Sequence, residues 1–115
     1  MKKPIKAVIA TLWLATGAAG AADQAGCTIA GYDMPPNVCA SHTRTIASTC
    51  FICHGPNGKS QAAIPPLAGR DKAELLAALQ DFRDGKREAT VMQKYVKGYS
   101  DSEYEDLADY FSAIK

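Results

Sequence analysis

The sequence predicts an all-α fold made of short helices. Two segments carry the signal, Asp71–Asp84 and the segment that begins at Ser100, because apolar residues recur in both at helical intervals. No stretch alternates between apolar and polar residues as a half-buried strand does. The chain has 115 residues, so we expect one small domain whose hydrophobic core is thin unless something large fills it.

The first predicted helix covers Ala40 to Thr49 and leads into Cys50, which shares one helical face with Ile46 and Ala47. Glycines and prolines then predict a loop over residues 55–69.

A second helix is predicted over Asp71–Asp84. Asp71 can cap its N-terminus, with Glu74 three residues later, and Gly85 fits the position just beyond its C-terminus. Its apolar stripe consists of Leu75, Leu76, Leu79 and Phe82.

A shorter helix is predicted over Glu88–Lys97, ending at Gly98. The last helix begins at Ser100, where Glu103 completes a capping box. Its predicted buried face consists of Tyr104, Leu107, Ala108, Phe111 and Ile114.

Residues 1–21 have the pattern of a secretory signal peptide: a basic start, an apolar run over residues 7–15 and small residues at the expected cleavage site. The apolar run is shorter than the ~20 residues that span a bilayer, so we expect export to the periplasm without stable membrane insertion. The mature chain then divides into an N-terminal extension, residues 22–39, and a main domain, residues 40–115.

Charge excludes one class of partner. The full chain has 13 basic and 12 acidic side chains, and three of the basic ones lie in the predicted signal peptide. The mature chain is therefore slightly acidic, whereas nucleic-acid binding requires a basic patch or stripe.

Cys27 and Cys39 both lie in the extension. In an exported protein two spare cysteines this close in sequence are expected to form a disulfide. It would close a loop that contains two prolines and would tether the extension, with about 2–3 kcal/mol of stabilisation in the chain-entropy picture. A redox-active or partner-linking thiol pair is the alternative.

The strongest motif is Cys50-Phe51-Ile52-Cys53-His54, which matches the attachment signal for a c-type haem. Two thiols at this spacing reach the two vinyl groups of one porphyrin, and the histidine that follows becomes the proximal ligand of the iron. A structural zinc site would need further Cys or His ligands, and a redox dithiol would need a βαβ context. We therefore predict one covalent haem c.

The order of elements from Ala40 to Ile114 resembles class I cytochrome c, through this motif, the run Pro65-Pro66-Leu67-Ala68-Gly69 and Met92. The resemblance implies short helices packed around the haem, with the first and last helices in contact. It also implies that a proline carbonyl, of Pro65 or Pro66, accepts a hydrogen bond from His54, and that Leu67 borders the haem.

The same resemblance implies that Met92 is the distal iron ligand. Met34 precedes the haem motif, where the family does not place this ligand, and His42 is the remaining alternative. A Met/His pair raises the reduction potential relative to two histidines.

A closer resemblance lies in the distal half, in Thr90–Met92, Lys97–Asp101 and Leu107–Phe111. These segments are similar to the cytochrome subunit of flavocytochrome c sulfide dehydrogenase and to one half of dihaem bacterial cytochromes c. The first likeness implies a periplasmic electron carrier, not itself an enzyme, that accepts electrons from an exported flavoprotein. Unlike the dihaem versions, this chain has one Cys-x-x-Cys-His motif.

Two other functions remain open. The chain could be a free carrier that serves another redox protein, or a haem enzyme or sensor with an open sixth position on the iron.

Basic side chains that could contact the haem propionates are Arg70, Arg83, Lys86 and Arg87, and apolar candidates for a docking surface are Val91, Tyr95 and Tyr99.

Overall fold

The computed structural model describes residues 26–29 and 31–115. Within them the chain forms two short strands, β1 (Cys27–Ile29) and β2 (Tyr32–Met34), and four helices, α1 (Pro36–His54), α2 (Lys72–Arg83), α3 (Met92–Val96) and α4 (Asp101–Ser112), with a single 3-10 turn at Pro56–Gly58. The predicted signal peptide lies outside these residues. Of the helices described, none combines the length and apolar character that a membrane span requires.

The core forms where α4 packs against both α1 and α2. Its buried side chains come from all three helices, and they are Ile46, Ala47, Leu75, Leu107, Ala108 and Phe111. The aromatic ring of Phe111 packs edge-on against Phe51 and Tyr110, with ring centroids 6.1 and 5.3 Å away. The predicted buried face of α4 is confirmed for four of its five residues, whereas Ile114 lies beyond the helix and is half-buried.

The predicted capping residues of α2 and α4 are confirmed. Asp71 caps α2 by accepting a hydrogen bond from the amide of Glu74, and Gly85 follows this helix with a φ of +73°. Ser100 and Glu103 form a reciprocal capping box at the start of α4. These local hydrogen bonds explain why the sequence indicates these boundaries so clearly.

Two predicted helices have different lengths in the structure. Helix α1 begins at Pro36 and continues through His54, so it extends beyond both ends of Ala40–Thr49. A proline suits the first turn of a helix, because backbone N–H groups in that turn have no acceptor within the helix and proline has no N–H. The predicted helix over Glu88–Lys97 is reduced to α3, which has only five residues.

The prediction that the chain has no strand is wrong for the extension. Strands β1 and β2 pair antiparallel, with Cys27 opposite Met34, and Gly31 adopts a φ of +85° beside the turn. Three residues per strand are too few to show a sequence alternation. The predicted disulfide between Cys27 and Cys39 is confirmed, and it fastens this hairpin to the beginning of α1.

A second contact joins α1 to α4. His42 and Glu103 are 2.6 Å apart and both side chains are mostly buried. Burial opposes ionisation of Glu103, but hydrogen bonds from the Ser100 amide and from His42 outweigh it and hold the pKa of Glu103 below its ordinary value of 4.5. The contribution of ionised Glu103 to folding stability is therefore fully present above pH 4.5, and it is lost as the pH falls through the pKa of Glu103 in the folded protein.

Gly58 connects the loop over residues 55–69 to the core. Its carbonyl accepts hydrogen bonds from the amides of Leu67 and Ala68, and Gly69 in turn donates to the carbonyl of Phe111. Gly58 has a φ of +73°, and a Cβ there would lie 2.9 Å from the ring of Phe111. Only glycine satisfies both the backbone conformation and the close packing.

We therefore expect Gly58→Ala to destabilise the protein strongly. Gly85→Ala is the matched control, because Gly85 has the same φ but no neighbouring atom within 4 Å. The control should cost about 1–2 kcal/mol for the backbone conformation alone. Gly58→Ala should cost a further ~1–3 kcal/mol for overpacking against Phe111. Urea unfolding measures both, and equal losses would contradict this account.

Candidate haem site

The motif residues occupy the last turn of α1. Cys50, Cys53 and His54 stand at intervals of three and four residues, so they project from one face of the helix. Both thiols are free; Cys50 is half-buried and Cys53 is exposed. Burial raises the pKa of Cys50 above its ordinary value of 9.0, so this side chain is an uncharged thiol at neutral pH.

His54 is buried and its ring orientation is fixed. Nδ1 lies 2.6 Å from the carbonyl oxygen of Pro65, and because a carbonyl only accepts, Nδ1 donates. The hydrogen therefore resides on Nδ1 and the lone pair on Nε2 is available to a metal. Of the two prolines left open by the sequence, Pro65 makes this contact, while Pro66 lines a separate surface depression beside Lys59 and Ile114.

Next to this motif lies a cavity of about 350 Å³. The motif, together with Pro65 and Leu67, forms one part of the wall, and the segment that precedes α3 forms another part together with α3 itself. Much of the lining is apolar, with Leu75, Ala78, Leu79, Phe82, Val91, Val96, Leu107 and Phe111 among its residues. Leu79 and Phe82 were expected only as part of an apolar helix stripe, and the structure shows that this stripe faces the cavity.

Met92 lines the same cavity from the first position of α3. The two alternatives lie elsewhere: Met34 is in β2, and His42 is engaged with Glu103. Neither of them lines the cavity. The position of Met92 could be inferred from the order of elements, although no local pattern marks it.

This donor set fits a covalently attached haem. The cavity combines two free thiols on one helix face, an imidazole whose Nε2 is available and a thioether sulfur, within a mainly apolar enclosure of ligand-binding size. In the part of the chain that the structure describes, no group of three or more His, Cys, Asp or Glu side chains is arranged to hold a metal ion directly. The zinc alternative therefore lacks a ligand set in these residues.

The basic candidates separate into two pairs. Arg70 and Arg87 line the cavity, where Arg70 contacts Glu74 at 3.3 Å and Arg87 lies 4.9 Å from the Phe82 ring centroid. Arg83 instead bonds Asp84 and Asp101, and Lys86 lies 3.6 Å from Asp84. Neither Arg83 nor Lys86 lines the cavity.

Sequence reasoning missed two polar contacts near the part of the cavity wall that contains Met92. Thr49 and Tyr99 both line the cavity, and their hydroxyl oxygens are 3.1 Å apart. Tyr104, expected only as an apolar core residue, donates its hydroxyl to the carbonyl of Val96 at 2.7 Å. Nothing in the periodicity distinguishes these hydroxyl groups, because each contact joins residues distant in sequence or on different elements.

The fold and the site define a c-type cytochrome domain, and comparison with known families agrees. The family described as cytochrome c oxidase, cbb3-type, subunit III matches residues 38–111. The chain therefore belongs to the cytochrome c family and is an electron-transfer protein, not itself an enzyme. The four helices among the described residues fit the class I cytochrome c fold, and this family carries a covalently bound c-type haem.

Particular relatives sharpen the comparison. The chain is similar to the cytochrome subunit of sulfide dehydrogenase from Chlorobaculum tepidum, with 36% identity over 67% of this chain and 70% of the relative. It is also similar to cytochrome c4 from Pseudomonas aeruginosa, with 33% identity over 94% of this chain and 48% of the relative. The chain thus spans about half the length of that cytochrome c4.

Attachment of haem through both thiols can be tested by substitution. Cys50→Ala and Cys53→Ala should each weaken covalent haem retention, and the double variant should abolish it, because each thioether requires one sulfur. Haem staining of a denaturing gel measures this directly. The control is Cys27→Ser/Cys39→Ser, which removes two cysteines outside the cavity and should stain fully; full staining of the Cys50/Cys53 double variant would refute the attachment.

Proposed function

We propose that this chain is a periplasmic carrier of single electrons that holds one haem c. Cys50 and Cys53 form the thioethers, and His54 and Met92 are the two iron ligands. The observation that carries the proposal is the hydrogen bond from His54 Nδ1 to the Pro65 carbonyl, in a largely apolar cavity that Met92 also lines. The haem supplies a one-electron iron couple, and the side chains hold it and limit access of water.

The position of the motif suits electron exchange at the surface. Cys53 is exposed and Ile52, between the two cysteines, is 79% exposed. A haem attached to these cysteines would lie beside exposed side chains, so electrons could pass to a docked partner without a substrate binding to iron. In this proposal Met92 would fill the remaining position on the iron, and the chain would then not be an enzyme or sensor with an open site.

The exposed surface beside the cavity suits protein docking. Val91 and Tyr95 line the cavity and are each about half exposed, at 46% and 49%. The surrounding segment, residues 86–97, has four basic side chains and one acidic one, whereas α4 has five acidic side chains and no basic one. An apolar patch with a basic rim favours a partner that presents an acidic face.

We propose that this partner is an exported flavoprotein that oxidises sulfide. The support is the similarity to the cytochrome subunit of sulfide dehydrogenase, which extends over two thirds of each chain. A free carrier is the second candidate, and it is favoured by the match to cytochrome c4 over nearly the whole chain.

The role of Met92 predicts a change in reduction potential. Met92→Ala should open the sixth position, lower the potential and remove the weak red-end absorption band of Met–iron(III) bonding, since a Met/His pair raises the potential. Met34→Ala is the matched control and should retain both properties. Potentiometric titration followed by visible absorption measures them; a Met92→Ala protein with unchanged potential and band would show that the ligand lies elsewhere.

The flavoprotein partner predicts faster reduction by sulfide. Stopped-flow absorption should show the haem reduced faster when the exported flavoprotein of the same organism is present than with sulfide alone. Lys94→Glu/Lys97→Glu should slow this reaction about tenfold at low salt by reversing charges at the rim. Arg44→Glu, an exposed reversal on the outer face of α1, is the control. No acceleration by the flavoprotein would favour the free carrier.

A further inference from the structure

The wall of the cavity that contains Met92 depends on few internal contacts. Helix α3 has five residues, too few to be stable by its own hydrogen bonds. The residues before it, 87–91, are not helical, and most of their side chains are exposed. What holds this segment must come from neighbouring elements, and α2 packs against one side of it.

Tyr104 supplies a buried hydrogen bond on a second side. Its side chain has no solvent exposure, and its hydroxyl donates to the carbonyl of Val96, which is 1% exposed and ends α3. The guanidinium of Arg83 lies 5.4 Å from the centroid of the Tyr104 ring and also bonds Asp101. The end of α3 is thus attached to α4 through the hydroxyl group of a side chain that is not exposed to solvent.

Tyr99 supplies a hydrogen bond to α1 beside the cavity. The hydroxyl of Thr49 has one hydrogen, and it is donated to the carbonyl of Ile46 at 2.7 Å. The 3.1 Å contact between Thr49 Oγ1 and the Tyr99 hydroxyl therefore has Tyr99 as donor. Because Thr49 immediately precedes Cys50, this bond connects the residues just after α3 to the helix that bears the attachment motif.

We propose that Tyr104 and Tyr99 are positioning residues that hold Met92 in place as a ligand, by fastening α3 to α4 and to α1. The proposal rests on the proposed role of Met92 as iron ligand. Neither hydroxyl needs to touch the haem; each lowers the population of conformations in which α3 has moved away. Such local opening limits how fast an added ligand can replace the methionine.

The experiment uses the full haem-loaded protein and imidazole as the competing ligand. Disappearance of the Met–iron band gives the rate of methionine displacement. Tyr104→Phe and Tyr99→Phe should each accelerate displacement about fivefold, the factor that corresponds to the loss of one ordinary hydrogen bond. The Tyr104→Phe protein should fold, because the ring is retained and the Val96 carbonyl still accepts from the Tyr99 amide at 3.1 Å.

Two controls separate positioning from general stability. Tyr110→Phe removes a hydroxyl that makes no hydrogen bond within the described residues and should leave the rate unchanged. Thr49→Val should match Tyr99→Phe, whereas Thr49→Ser retains the acceptor and should restore the original rate. The combined Thr49→Val/Tyr99→Phe variant should be no faster than either single one, since both remove the same bond.

The outcomes distinguish this proposal from the assignment of the ligand. Removing either hydrogen bond also lowers the free energy of global unfolding, so the comparison needs Asp71→Ala, which removes the α2 cap at a cost of about 1 kcal/mol and lies outside the cavity. Faster displacement in Tyr104→Phe and Tyr99→Phe but not in Asp71→Ala, at similar losses of stability in urea, supports positioning. Unchanged displacement, or an equal acceleration in Asp71→Ala, overturns the positioning proposal and leaves Met92 as ligand. If Met92→Ala retains the Met–iron band, the ligand assignment fails, and the proposal fails with it.

Discussion

The hydrogen bond from His54 to the Pro65 carbonyl is the contact on which the site depends. It requires α1 to continue to His54 and the loop over residues 55–69 to fold back over the end of that helix. The loop holds this shape because Gly58 accepts two backbone hydrogen bonds and packs against Phe111 of α4. The orientation of one imidazole is thus set by contacts that extend from the first helix to the last.

The sequence predicts best the features with local causes. The caps at Asp71 and Ser100, the apolar stripes of α2 and α4 and the attachment motif each depend on residues within a few positions of one another. The hairpin was missed because its strands have three residues each, and α1 was predicted too short because Pro36 was interpreted as part of a loop. The choice of Pro65 over Pro66 needed the three-dimensional course of the loop.

The cavity also explains why the apolar stripes exceed what the helices bury against one another. In α2 only Leu75 is buried, while Leu79 and Phe82 are partly exposed and line the cavity. A chain of this size buries too little apolar surface through helix packing alone to be very stable. An apolar group that fills the cavity therefore completes the hydrophobic core, and binding it contributes to folding as well as to function.

The two walls of the cavity are held to different degrees, and this difference has a physical consequence. His54 belongs to a helix of 19 residues that α4 and the disulfide-bound hairpin both contact. Met92 belongs to a helix of five residues, attached to its neighbours through side-chain hydroxyl groups. Opening of a residue on a long, well-packed helix costs more free energy than opening of one on a short helix with few contacts. For the proposed His54/Met92 ligand pair, variation in the strength of ligation is therefore expected to arise on the methionine side.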